Sequence, residues 1–452
     1  AGRPQANAIY HSHGNIVNKI NWSILTPRFA NVCSLTHWNG DAVCWYDVGV
    51  GLRLTGYFGR ESIIAAGEHA RTALVWAHDP ATSMANSIPW LLKVKDRGGK
   101  LIVVDSRVTA TARLADLHLQ PRPGTDLILA GALARAIIEN GWLDQEFIDA
   151  HGAGFAAYRE AVAGCTPERA EAATGVPARD IIEAARAYAC ERPAVIDLSR
   201  GALGQQRDGW QTVRAIACLA GLCGHIGAPG GGMIWEGGIR LNASLLAEER
   251  RLNAPYPPNH YETIIESLEA GEIDVLLVWG ANPLSQWPNL PRLRPALERV
   301  GLVVVWDLFM NHTAEEAADI VLPATCWLEE AGLKAGASHV YLTPKILEPP
   351  DECRSGPWVQ RELAARLGHP EYFPWPDMQA MLDEALDAPD CRGITVERLA
   401  ASPGGLPAPG MASPPYADGR FDTPDGRFAF YSGEAAALGL APLPPFAGRL
   451  AL

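Results

Sequence analysis

One pattern is written twice in this chain, at residues 73–119 and again at residues 275–323, and any fold proposed for it must accommodate the duplication. The first copy reads ALVWAHDP, a helical interval, KLIVVDSR, then Thr111 and Ala112, then ADLHL. The second reads LLVWGANP, an interval, LVVVWDLF, then Thr313 and Ala314, then ADIVLP. Trp76 precedes Asp105 by 29 positions and Trp279 precedes Asp307 by 28, so the copies agree in length as well as in chemistry. Each is a strand, a loop, a helix and a second strand that ends in an acid. Continuously apolar strands of this kind suit a parallel sheet covered on both faces. The alternation of strand and helix predicts an α/β protein with two doubly wound parallel-sheet domains related by the internal repeat. Such a chain binds two similar nucleotide-like groups, or one large ligand held from both sides.

Around the copies, helices are expected over residues 61–72, 85–97, 127–140 and 358–367, the second ending at Gly98 and Gly99 and the third capped by Asp126. Two more are broken at Gly175 and Pro177, a strand covers 194–198, and a long small-residue helix runs to Gly224. Residues 1–38 show no long periodicity. The glycine-rich run 227–238 reads as a flexible passage between domains, and few strong elements are expected beyond Pro370. The expected division is a first α/β domain of residues 1–38 and 240–385 carrying the second copy, a second of residues 39–239 carrying the first, and a Pro/Gly-rich extension, 386–452.

A length of 452 residues allows two or three domains with filled cores. The formal charge of −13 argues against nucleic acid or an anionic membrane as the main partner. No apolar run is long enough to span a bilayer and no signal segment opens the chain. The first residue is Ala rather than Met, so the N-terminus is expected to be partial, and a cytoplasmic or a periplasmic location stays open. Nine cysteines form no CxxC pair and no zinc spacing, which reads as reduced, mostly buried thiols.

In doubly wound sheets ligands sit beyond the carboxyl ends of the strands. That places Asp105, Asp307 and the loops after Ala77 and Gly280 at a site, where a carboxylate can accept from a ribose diol or from guanine N–H groups. Helix N-termini after Pro80 and Pro283 are expected to hold phosphate. The plainer role for such acids is to cap a helix or pair with a neighbour, as Asp105 could with Arg107. Neither copy has a GxGxxG run and the GxxxxGK[ST] loop is absent, so ordinary nicotinamide or P-loop binding is unsupported. The loop from Arg122 to Asp126 offers Gly124 and Thr125 at a helix start, either for a phosphate or pterin or as a simple turn.

The runs VVDSRVTATARLADLHLQPRPGTD, SRGALGQQRDGWQTVRAIACLAGLCGHIGAPGGG, VWGANPL, DIVLPATCWLEEAG and FDTPDGRFAFYS resemble, in order and over nearly the whole chain, the molybdopterin oxidoreductases of the dimethyl sulfoxide reductase family. The resemblance implies a bis(molybdopterin guanine dinucleotide) cofactor with molybdenum or tungsten, held by two pseudo-equivalent α/β domains. It implies that Asp105, Arg107, Gly124 and Asp126 hold one dinucleotide and Gly280, Asn282 and Asp307 the other, with Gly201 and Gln205 near the dithiolene end. The first copy departs from the family at Ala77 and Asp79, where Gly and Asn are usual, so the contact at Asp79 is an open one. The metal ligand would fall in the run NVCSLTHWNGDAVCWYDVGVG. Cys44 is the reading taken, because a soft thiolate suits such a metal. Asp41 and Cys33 remain alternatives, since the commonest family spacing would land on Asn39, and Cys44 could equally be a buried thiol. Trp45 stands where formate dehydrogenases usually carry His, so the resemblance does not support formate.

His37, in the candidate ligand run, is the histidine best placed for acid–base work. His11, His13 and His312 are weaker candidates, and Trp38, Trp45 and Trp210 read first as packing residues. The resemblance further implies a small-molecule substrate, two-electron redox chemistry such as oxygen-atom transfer, a 4Fe-4S cluster in a preceding segment or partner chain, an iron–sulfur electron-transfer subunit, and a closing β-barrel domain after the last residue. The rival readings are a cofactor-less structural or electron-transfer subunit, of the kind the large subunit of respiratory NADH dehydrogenase represents, and a plain nucleotide-binding module.

Overall fold

The computed structural model describes residues 3–13, 19–59, 61–199, 201–206, 208–234, 239–252, 255–336, 338–409 and 414–446. The chain forms two compact units: unit 1 is Ala1–Val43 with Gly238–Ala412, and unit 2 is Cys44–Gly237 with Ser413–Leu452. Each is built on a five-stranded parallel sheet. In unit 2 the spatial order is Leu117–Leu119, Lys100–Val104, Thr72–Trp76, Ala194–Leu198, Gly232–Ile234. In unit 1 it is Ile320–Pro323, Leu302–Asp307, Val275–Trp279, Asn7–His11, Thr36–Asn39.

In both sheets the repeat copy supplies three strands winding one way, and two further strands wind the other. The strand order therefore reverses between Thr72–Trp76 and Ala194–Leu198 in unit 2, and between Val275–Trp279 and Asn7–His11 in unit 1, which is where ligands enter such sheets. The two extra strands follow the copy in unit 2 and precede it in unit 1. The duplication thus covers whole sheets with the chain order changed. One bond marks the match: Ser199 N–H donates to Trp76 O at 3.0 Å, and Ser12 N–H to Trp279 O at 3.1 Å.

The core follows from the apolar runs. Thr72–Trp76 and Ala194–Leu198 are buried at every position. Helices Asp126–Glu139 and Gly209–Leu222 are apolar nearly all round and pack together in unit 2. The fully buried Arg214 in the second is tolerated because its guanidinium donates to Gln211 Oε1 at 3.1 Å and Pro442 O at 2.8 Å. No helix among the described residues is long and apolar enough to cross a membrane.

Four expectations change. The division falls at residues 43/44 and 237/238 rather than 38/39 and 239/240. Residues 386–452 are not one extension: Leu386, Cys391, Ile394, Val396 and Leu399 fill a core of unit 1, whereas Phe421, Phe428, Phe430 and Phe446 fill that of unit 2. Full burial of each such phenyl ring is worth about 1.5–3 kcal/mol, enough to hold a segment that lacks long periodic elements. Strands Asn7–His11 and Thr36–Asn39 form where no periodicity was read, and Gly232–Ile234 is a strand inside the glycine-rich run, whose residues 235–238 lie outside the described residues. Finally, Asp126 is the first residue of its helix and accepts from Trp76 Nε1 at 2.9 Å instead of capping; the preceding Thr125 makes no side-chain cap bond.

Fully buried His225 joins two helices of unit 2 through Nε2–H donated to Tyr188 O at 2.8 Å. Burial, with Arg192 adding, pulls its pKa from 6.5 to about 3. The unfolded chain therefore takes up this proton first, and stability present above pH 6.5 is lost as pH falls towards 3. Denaturation midpoints measured across that range should show a slope shallower by up to about 1.4 kcal/mol per pH unit in His225→Gln than in wild type; parallel slopes would contradict it.

Candidate cofactor-binding site

The two loops at the switch points are built alike, residue for residue. After Thr72–Trp76 the chain turns through Ala77 at φ 51°, and after Val275–Trp279 through Gly280 at φ 54°. Ala77 N–H donates to Val104 O at 2.7 Å and Gly280 N–H to Trp306 O at 2.9 Å. Two residues on, Asp79 Oδ1 accepts from Thr111 N–H (3.0 Å) and Thr111 Oγ1 (2.6 Å), and Asn282 Oδ1 accepts from Thr313 N–H (3.2 Å) and Thr313 Oγ1 (2.8 Å). Each threonine oxygen in turn accepts a loop amide, that of Ala81 or Leu284. The first copy's departure from the family residues therefore leaves the loop geometry intact.

The copies differ in charge. Asn282 Nδ2 donates to Ser285 Oγ at 3.0 Å, whereas Thr82 Oγ1 donates to Asp79 Oδ2 at 2.6 Å. Burial works against ionising Asp79, yet the Thr111 and Thr82 hydroxyls, the Thr111 amide and Arg107 together hold its carboxyl below the usual range. Ala281 of the second copy is replaced by His78, whose Nδ1 lies 3.2 Å from buried Asp197 across the switch point. Sequence reading missed this pair; the one signal available was a charged residue, Asp197, inside an otherwise apolar strand.

The acids at the strand ends shape the next turn of chain. Asp105 Oδ1 accepts from the backbone N–H of Arg107 at 2.8 Å, so its observed partner is not the guanidinium, and Asp307 Oδ1 accepts from Phe309 N–H at 3.2 Å. Burial raises the Asp307 carboxyl, against several hydrogen bonds that lower it. Burial likewise raises that of Asp126, with the Trp76 bond opposing and Asp105 adding. Gly124 adopts φ 82° with open space where a Cβ would stand. The helices after Pro80 and Pro283 are single turns of four residues, Pro80–Ser83 and Pro283–Gln286. That is too short for the summed dipole expected to hold phosphate.

In unit 2 three residues named from sequence come together. A Cβ on Gly201 would lie 3.8 Å from Cys44 Sγ and 3.8 Å from Gln205 Nε2. Cys44 is partly exposed and precedes helix Tyr46–Arg53. The alternative Cys33 is buried, and burial with Glu371 pushes its thiol up to about 12, which disfavours a ligating thiolate. Asp41 belongs to unit 1 and is buried beside His13, Nε2 to Oδ1 3.9 Å. His37 pairs with His11, while exposed His312 bonds Ser285 Oγ at 2.7 Å. Trp38 is a packing residue, fully buried with Nε1 on Pro257 O.

Two doubly wound sheets, each with an acid at one strand end and a matched turn at its switch point, give the chain a duplicated α/β fold with two equivalent loops. A family model described as molybdopterin oxidoreductase matches residues 16–366, and the chain belongs to that family. It is 32% identical over 354 residues to formate dehydrogenase H of Escherichia coli (strain K12), covering 72% of this chain and 49% of that protein. It is 29% identical over 451 residues to the probable oxidoreductase YyaE of Bacillus subtilis (strain 168), covering 97% and 66%. Acetylene hydratase from Pelobacter acetylenicus superposes with a TM-score of 0.82 over 98% of this chain and 66% of that one; at 22% identity this likeness carries the fold. The chain thus spans about half to two thirds of the length of these proteins.

The residues fit a molybdopterin cofactor. The soft sulfur of Cys44 lies beside Gly201, and Gly124 presents backbone at positive φ with open space around it. Removing the loop clasp gives a direct check. Asp79→Ala should cost about 1–3 kcal/mol in unfolding free energy, by orphaning the Thr111 donors, and Asp79→Asn little. Exchanging the turn residues should be reciprocal: Ala77→Gly stabilises by up to about 1 kcal/mol and Gly280→Ala destabilises by a similar amount.

Proposed function

We propose that the chain is the catalytic core of a molybdenum- or tungsten-dependent oxidoreductase whose cofactor is the bis(molybdopterin guanine dinucleotide) form. The observation that supports it most is the point-for-point match of the Asp79–Thr111 and Asn282–Thr313 clasps, because two equivalent loops suit two equivalent dinucleotides. In this reading Asp105, Arg107, Gly124, Asp126 and Asp79 hold one dinucleotide, and Gly280, Asn282 and Asp307 the other. Gly201 and Gln205 stand at the dithiolene end, and Cys44 supplies the protein ligand. The cofactor, when bound, supplies two-electron redox chemistry, oxygen-atom transfer being the common form. The protein positions it, chooses the ligand and sets the field.

His37 is proposed to carry acid–base steps of the reaction. The substrate is a small molecule, and Trp45 beside Cys44 argues against formate. A 4Fe-4S cluster and an iron–sulfur electron-transfer subunit outside this sequence are the proposed route for electrons. Retention of the loop residues favours this reading over a cofactor-less relative.

Elemental analysis of the full-length protein should find molybdenum or tungsten, with guanine nucleotide released on hydrolysis of the pterin. Asp105→Ala and Asp307→Ala should each lower that nucleotide content, and Cys44→Ala should lower turnover at least about a hundredfold and alter the metal's EPR signal. Absence of both metal and pterin would overturn the reading.

A further inference from the structure

His11 ends the strand Asn7–His11 at the switch point of unit 1, and His37 lies on the neighbouring strand Thr36–Asn39. Their rings lie edge to edge and nearly parallel, with centroids 5.0 Å apart and planes at 8°, and the two Nε2 atoms are 2.9 Å apart. Two protonated Nε2 atoms could not approach so closely, so one proton is shared between them. His11 is 2% exposed, and its Nδ1 is buried with no hydrogen-bond partner. The indole of Trp22 lies 5.7 Å from the His11 ring and 5.4 Å from that of His13, and its Nε1 is also buried without a partner. Trp22 sits in a π-helical turn, Asn21–Leu25, a widened coil more common at functional sites than elsewhere. Buried donors and acceptors are nearly always satisfied. Two left open around one histidine pair point to a water or a proton-carrying group that belongs there.

We propose that His11 and His37 form a two-imidazole proton relay at the switch point of unit 1, an inference that rests on the proposed oxidoreductase activity. The chemistry balances with one proton in and one out. Two neutral rings bridged through Nε2 leave a lone pair on the Nδ1 of the bridge donor and an N–H on the Nδ1 of the bridge acceptor. A proton arriving at the first Nδ1 lets the bridging proton cross and the second Nδ1–H depart. Neither ring need carry charge before or after. The surroundings favour this neutral state. Burial, then His37 and His13, hold His11 well below its ordinary pKa; burial and Arg251 bring His37 down to about 4. A two-electron reaction that takes up or releases protons needs such a path, because the centre must be kept from bulk water.

The test uses full-length protein with ¹⁵N-labelled histidine. In wild type, NMR should show a coupling across one Nε2–H···Nε2 bond, one ring protonated at Nε2 and the other at Nδ1; His11→Gln or His37→Gln abolishes it. In metal-loaded enzyme each variant should lower kcat at least about tenfold with KM within about twofold. The double variant should be no worse than the worse single one, and free imidazole should restore part of the rate. Absence of the coupling overturns the relay, as does an unchanged kcat in loaded, active variants, or additive losses. A wild-type protein devoid of metal and pterin instead removes the activity on which the relay depends, and that outcome is read from the elemental analysis alone.

Discussion

The fold of each site depends on one oxygen atom that accepts two hydrogen bonds from a threonine. Asp79 in unit 2 and Asn282 in unit 1 tie the turn after the first repeat strand to the segment that follows the second, and the threonine passes the bond on to a loop amide. Take the clasp away and the threonine's N–H and hydroxyl lose their acceptor, at a cost of about 1–3 kcal/mol. Because only an accepting oxygen is required, acid and amide are interchangeable in shape. They are not interchangeable in charge. Asp79 is held ionised, so unit 2 places a negative charge where unit 1 has none, with Arg107 and the His78–Asp197 pair close at hand. Two half-sites of one geometry and different electrostatics can bind chemically identical groups and still treat them unequally.

What the sequence made legible follows from how each strand is buried. Val275–Trp279, Leu302–Asp307, Lys100–Val104 and Ala194–Leu198 are continuous apolar runs, and each is legible as a strand. Asn7–His11 and Thr36–Asn39 carry Asn, His and Thr among their apolar residues and gave no period, although they complete the unit 1 sheet. Their order along the chain also hid them, since the matching strands of unit 2 come after the repeat copy. The C-terminal segment failed for a third reason. Its anchors, Phe428, Phe430 and Phe446, act singly through burial, and isolated aromatics leave no periodic trace.

The candidate site shows the same division. Asp105, Asp307, Gly124 and Gly280 stand where strand ends and turns put them, which a strand assignment alone can supply. The approach of Gly201 and Gln205 to Cys44 needs the tertiary fold, as do the His11–His37 and His78–Asp197 pairs, whose members lie 26 and 119 positions apart. Local rules fail where polar residues are set into a buried sheet.

The electrostatics then constrain how a polyanionic cofactor could be held by a chain of formal charge −13. Long-range attraction is not available, and the single-turn helices at Pro80 and Pro283 carry little dipole. What remains is short-range donation. A backbone N–H at a turn of positive φ, as at Gly124, presents a fixed partial charge whose orientation is set before any ligand arrives. Such a site selects by shape and by the count of donors rather than by net charge.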